Sequence, residues 1–313
     1  MLGKSCRSVR AMKAIILAVR VVGLSAIHFI CFTFIAAVLL PLPPEAVTVA
    51  ESAAAVRGVL AVSILNTIVL SYIILRSWYA RWSLVLPIFV ILYGTMTVMP
   101  QIETAFFVKL PSGMLPRLFL FGAVFAIVFS FLAVLILGKK RPEANDDKSR
   151  SRLNLPAHEW LLKLCAIVIL YLVLYFTFGY FVAWKSEAVR AYYGGSDPGS
   201  FLAQISNVLR DTPLLVPLQV LRAILWTAIA AVVIRIMKGH WWEAGLAVAL
   251  LFSVMSAQLL IPNPFMPSEV RMVHFLETAS SNFVFGWLVI IVLCAWKMPA
   301  KPHSTDVLFD DKL

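Results

Sequence analysis

Apolar residues in this chain come in long uninterrupted runs, and short stretches between them carry most of the charge. The first run extends from Val21 to Pro41. Others cover Gly58–Leu75, Ser83–Met99, Leu118–Leu137, Cys165–Trp184, Leu214–Ile234 and Ala244–Ile261, and an eighth opens near Ser268 and ends at Trp296. Each is near the roughly 20 residues that a helix needs to cross about 30 Å of hydrocarbon. In lipid every backbone N–H and C=O must be paired within the protein, so runs of this length are read as helices. The pattern predicts an all-α integral membrane protein of about eight transmembrane helices.

The polar stretches divide the chain. The Pro-rich PLPP at Pro41 to Pro44 ends the first span, and RSWYARW and RIMKGHWWE form two short turns. The charged stretch from Gly138 to Trp160 lacks apolar periodicity and reads as a solvated linker. It gives an N-terminal four-span half (1–138), a cytoplasmic linker (139–160), a C-terminal four-span half (161–298) and a cytoplasmic tail (299–313). The loop after the fifth span contains a short amphipathic helix. Phe201, Leu202, Ile205, Val208 and Leu209 share an arc of about 120°, with Gln204, Asn207 and Arg210 facing away. Asp197 or Ser200 is positioned to cap it, and Pro198 suits its first turn. It is expected to lie flat at the outer interface or to cover the mouth of the bundle, with Tyr192 and Tyr193 as headgroup anchors.

Several features recur in matching order. Arg57 opens the second run and Arg222 sits within the sixth, and RSWYARW is echoed by KGHWWE. Met99-Pro100 with Glu103-Thr104 is echoed by Met266-Pro267 with Glu277-Thr278, and FLFG at Phe119 by FVFG at Phe283. These echoes suggest two parallel four-helix repeats about an axis along the membrane normal, an arrangement that places a cavity between halves.

Composition agrees with the pattern. The chain is 61% hydrophobic and 14% charged, with mean hydropathy +0.89; soluble domains are about 45–50% apolar and about 25% charged. The formal net charge of +11 does not imply nucleic acid, because the basic residues sit in short loops beside apolar runs, where they set orientation and meet anionic headgroups. Most of the 27 Lys and Arg lie on the side of the N-terminus, which predicts both termini in the cytoplasm of a multi-pass plasma (or bacterial inner) membrane protein. The first apolar run exceeds the 7–15 residues of a secretory signal core and reads as an uncleaved span. The four cysteines lack CxxC spacing and imply no disulfide framework.

Candidate chemistry concentrates in Met266 to Gly286. Arg271, His274, Glu277, Thr278, Ser281 and Asn282 fall within an arc of roughly 140° on one helix, with Glu269 on the other side. A charge inside the membrane must be paired or face water. Arg222, about 12 Å below the outer boundary at 1.5 Å per residue, is therefore read as an anion anchor or as an ion pair with Glu103, Glu277 or Asp211. His274 and Glu277, at i, i+3, suit a proton relay; a metal would need a third ligand, and HExxH is absent. His28, mid-span, is expected as a buried neutral imidazole bonded to a backbone carbonyl, since a haem would need a second intramembrane axial ligand. No nucleophile elbow, Walker loop or dinucleotide fingerprint occurs, so no cofactor is expected and enzyme activity is disfavoured. The preferred reading is a transporter-like permease taking a small anionic or lipidic ligand into an outward-facing cavity lined by Arg222, Glu103, His274 and Glu277, with Arg271 and Asn282 as further candidates. The alternatives are a non-catalytic subunit docking other membrane subunits, or an enzyme acting on lipid with Glu277 or His274 as general base. Membrane lipids are expected contacts in every case.

Overall fold

The computed structural model describes residues 2–40, 49–138, 151–197 and 199–296. Pro41 to Pro44, Pro198, most of the linker and the tail lie outside the described residues. The described chain is helical, with no strand, and eight of its helices are long and apolar enough to cross a membrane. These are α1 (Leu2–Leu39), α2 (Val49–Leu75), α3 (Trp82–Phe107), α4 (Met114–Leu137), α5 (Ala157–Ala183), α8 (Leu215–Ile236), α9 (Trp241–Leu260) and α10 (Ser268–Ala295). Between α5 and α8 lie two short helices, α6 (Glu187–Tyr193) and α7 (Phe201–Asp211). Large apolar side chains such as Val22, Phe34, Leu86, Ile127 and Ile169 stay exposed, which in a bundle of this composition is the face offered to lipid.

Several boundaries differ from those that the sequence suggests: α1 starts at Leu2 and α2 at Val49, well ahead of the apolar runs at Val21 and Gly58. Helix α3 continues past Met99-Pro100 to Phe107, because a π-helical turn at Gly94–Val98 widens the ladder just before the proline. Pro100 has no N–H for the carbonyl of Met96, and Gln258 of α9 donates to that carbonyl instead at 2.9 Å. Helix α5 begins at Ala157, inside the stretch expected as linker. The buried Lys163 pairs with Glu159 at 3.0 Å and donates to the carbonyl of Leu293 at 3.2 Å, so its charge is compensated at the end of α10.

Within the first half, α1 packs on α2 and α4, α3 on α4, and α2 on α4; within the second, α5 packs on α8 and α10, α9 on α10, and α8 on α10. The halves meet through α2 with α9 and α3 with α8. At one end of this seam the turns after α2 and α8 pair directly. Ser77 and Met237 form an antiparallel bridge, Trp78 N–H donates to Ile236 O, and Lys238 N–H donates to Arg76 O. The Trp78 indole donates to Arg235 O at 2.8 Å, Arg76 pairs with Glu243, and Arg152 donates to Gly239 O. We refer to this end as the turn side and to the opposite end as the cavity side.

Candidate functional site

Helix α10 presents its polar stripe to a cavity of about 520 Å³ on the cavity side, bounded by the last turns of α3, by α5, α6, α7 and α8, and by the end of α9. His274, Glu277, Thr278, Ser281 and Asn282 all line it, together with Glu103 and Arg222. Arg271 does not. It turns to the end of α9, where its guanidinium donates to Leu259 O at 3.4 Å.

Arg222 is 3% exposed and is fully engaged on one edge. Its two terminal nitrogens donate to the two carboxylate oxygens of Glu103, each at 2.9 Å, and Nη1 also donates to Gln219 Oε1 at 3.0 Å. A guanidinium and a carboxylate meeting as two parallel bonds make a strong, geometrically specific pair. Of the partners that the sequence offers Arg222, the structure joins Glu103; Asp211 instead pairs with Arg210 on the exposed end of α7. Nε of Arg222, Nε2 of Gln219 and Nδ2 of Asn282 are buried donors without a partner among the described residues.

A second polar group lies nearer the cavity side. His274 Nδ1 is 2.7 Å from Glu277 Oε2, and His274 Nε2 is 3.2 Å from the Tyr193 hydroxyl. A carboxylate only accepts, so Nδ1 carries the proton toward Glu277, and in the neutral imidazole Nε2 accepts from Tyr193. Burial, and then the carboxylate of Glu103, push the Tyr193 hydroxyl above its usual range, so it stays a donor. Tyr193 and its neighbour Tyr192, expected as headgroup anchors, thus turn inward; Tyr192 donates to Phe265 O at 2.7 Å. The rest of the wall is aromatic. Tyr171 and Tyr175 come from successive turns of α5, with Phe107, Trp184 and Phe285 beside them. The i, i+4 spacing of Tyr171 and Tyr175 was a readable signal for this wall, and so was Gln219 three residues before Arg222.

Helix α7 covers the mouth, and its apolar arc is divided between the two sides. Gln204 is buried and lines the cavity with Val208, while Leu202 and Leu209 are 74% and 51% exposed. Ser200 caps the helix, accepting from Ala203 N–H at 3.2 Å, and Asp197 closes the preceding turn on Gly199 N–H at 2.9 Å.

His28 is apart from the cavity. Its Nδ1 lies 2.9 Å from Ser63 Oγ, and its ring meets Phe125 and Phe129 edge-on. Ser63 donates its own proton to Val59 O at 2.7 Å, so its oxygen accepts from His28, a side-chain partner where a backbone carbonyl was expected. No group of three or more His, Cys, Asp or Glu among the described residues is arranged to hold a metal.

Compared with family models, curated proteins and solved structures, the chain matches none. Its function has to be read from the geometry of the cavity.

Proposed function

We propose that this protein is a transporter-like permease of the cell membrane, built from two four-helix halves and holding its ligand in the cavity between α3, α5, α8 and α10. The observation that carries the reading is the cavity of about 520 Å³ with Glu103, Arg222, His274, Glu277 and Asn282 in its wall. Its size is that of a small-molecule site, and charged side chains at this depth in an apolar bundle are costly unless they serve a site or a structural pair.

The helix pairing supports a duplication. Exchanging α1, α2, α3 and α4 for α5, α8, α9 and α10 turns each pair within one half into a pair in the other. The same exchange swaps α2·α9 with α8·α3. The two turns at the bridge of Ser77 and Met237 would then meet at the pseudo-axis, and their ladder, with the Arg76–Glu243 pair, would be the closed gate opposite the cavity. The local sequence echoes support it less. Met99-Pro100 lies within α3, whereas Met266-Pro267 precedes α10. Parallel halves with a gate on one side and a cavity on the other suit rocking of one half against the other. The excess of Lys and Arg on the turn side supports a cytoplasmic location for it.

The test uses Ser281→Cys in a cysteine-free background, in sealed vesicles, with a membrane-impermeant maleimide added from either side. Alternating access predicts labelling from the cavity side and, more slowly, from the turn side through the minor state. Labelling from the cavity side alone, under every condition, would sink the transporter reading and leave a static receptacle of the kind a non-catalytic subunit could carry.

A further inference from the structure

The cavity wall also bears on what it holds. Resting on the ligand-binding reading above, we propose that the ligand carries an ammonium group with an oxygen acceptor close by, as in a free amino alcohol or the headgroup of a zwitterionic phospholipid.

Arg222 is the one Lys or Arg among the described lining residues, and the same wall holds two carboxylates, Glu103 paired with it and Glu277 bonded to His274. Both of its terminal nitrogens are committed to Glu103, so an incoming anion would have to displace a bidentate partner from a nearly inaccessible guanidinium. Glu277 is differently placed. One oxygen is held by His274, while Oε1 lies beside Gly179, where a Cβ would sit 3.7 Å away in ordinary contact. Among the described residues Oε1 has no hydrogen-bond partner, and both Glu277 and Gly179 line the cavity. Tyr171, Tyr175, Tyr193 and Phe107 line the same cavity, and aromatic rings attract a cation through their faces, most strongly where water is excluded.

The unpartnered donors give the second half of the ligand. Asn282 Nδ2 is buried in the wall, and Arg222 Nε lies buried in the same pair's surroundings. Asn282 comes five positions after Glu277 on α10, toward the turn side by roughly 7 Å at 1.5 Å per residue. An acceptor oxygen a few bonds from the ammonium would meet Asn282 while the cation stays at Glu277. A buried donor without a partner is costly, which gives such a ligand a place that water alone fills less specifically.

The experiment is calorimetric binding to the full chain in uncharged detergent at low salt. Its probes are choline, the uncharged isostere 3,3-dimethylbutan-1-ol, inorganic phosphate, and short-chain phosphatidylcholine below its micellar concentration. Choline is expected to bind about tenfold or more tightly than the isostere, and Glu277→Gln to remove that difference. Tyr175→Leu, which removes a ring and no charge, keeps the test alive if Glu277→Gln does not fold; it should weaken choline more than the isostere. Phosphatidylcholine binding more tightly than choline assigns the lipid source, and comparable binding assigns the free amino alcohol. Phosphate or the isostere binding as well as choline overturns the inference while leaving a ligand cavity in place. Choline binding untouched by both substitutions overturns it, as does no binding by any probe; the ligand-free labelling at Ser281→Cys then reports separately on whether the cavity opens.

Discussion

The pair of Arg222 and Glu103 makes a quantitative test of how this site is held. The two side chains are unequally placed: Arg222 retains 4% of its side-chain exposure, whereas Glu103 keeps 35% because it borders the cavity. Removing one partner of a buried pair costs about 3–5 kcal/mol when the other is left uncompensated. Glu103→Leu strands the buried guanidinium with only the oxygen of Gln219, so it should cost about 3–5 kcal/mol. Arg222→Met leaves a carboxylate that cavity water can reach, and the cost falls to about 1–2 kcal/mol, nearer the value of a half-exposed pair. The double variant removes both charges and should lie within about 1 kcal/mol of the parent, as buried pairs replaced by apolar residues often do. A double-mutant cycle on reversible unfolding in mild detergent measures all three. Equal costs for the two single variants would refute the asymmetry, and additive costs in the double would refute the pairing itself.

Two further substitutions test the packing. A Cβ on Gly286 would stand 2.5 Å from the Cα of Ala249, which is backbone and cannot swing away, whereas one on Gly23 meets nothing within 4 Å. Gly286→Ala should therefore cost about 1–3 kcal/mol by overpacking and Gly23→Ala should gain up to about 1 kcal/mol of helix propensity; equal shifts of the thermal unfolding midpoint in the two variants would count against this contact. Ser63→Ala strands the His28 Nδ1–H in an apolar surround at about 1–3 kcal/mol. Adding His28→Phe should recover most of that loss, and a double variant no more stable than Ser63→Ala would contradict the bond.

The features legible in the sequence are those whose physics is local. Eight helices could be read because each apolar run must satisfy its own backbone and span a fixed thickness. The stripe from His274 to Asn282 could be read because side chains on one helix repeat at 100° per residue. Glu103 could be named but not placed. A π-helical turn at Gly94–Val98 re-aims the residues beyond it, and no periodicity argument anticipates one extra residue in a turn. The same holds at Gly179–Ala183, where α5 opens beside Glu277. Arg271 shared the stripe's arc yet left the cavity, because the end of α9 offers it the Leu259 carbonyl, a contact made between helices. The aromatic wall was present as composition in the fifth span. It became a cavity wall only when α3 and α10 brought Glu103 and Glu277 against it.

The division of the α7 apolar arc between the two sides comes from a change of reference solvent. In a soluble protein the apolar arc of an amphipathic helix turns inward because water lies outside. Here Leu202 and Leu209 turn outward while Gln204 and Val208 turn inward; with lipid outside, exposed leucines carry no penalty, and the inside is a cavity with Glu103, Arg222 and Glu277 in its wall. Ser200 fixes where the helix starts, and Thr212, donating its N–H to Val208 O at 2.9 Å, fixes where it ends. The helix therefore covers the cavity without turning its whole apolar arc inward. Against lipid, a helix held this way would keep its outer apolar contacts whether or not the cavity beneath is filled. Its cost of displacement rests on the few groups that reach inward, Gln204 and Val208 among them, and an opening that leaves those lipid contacts intact needs only those few to let go.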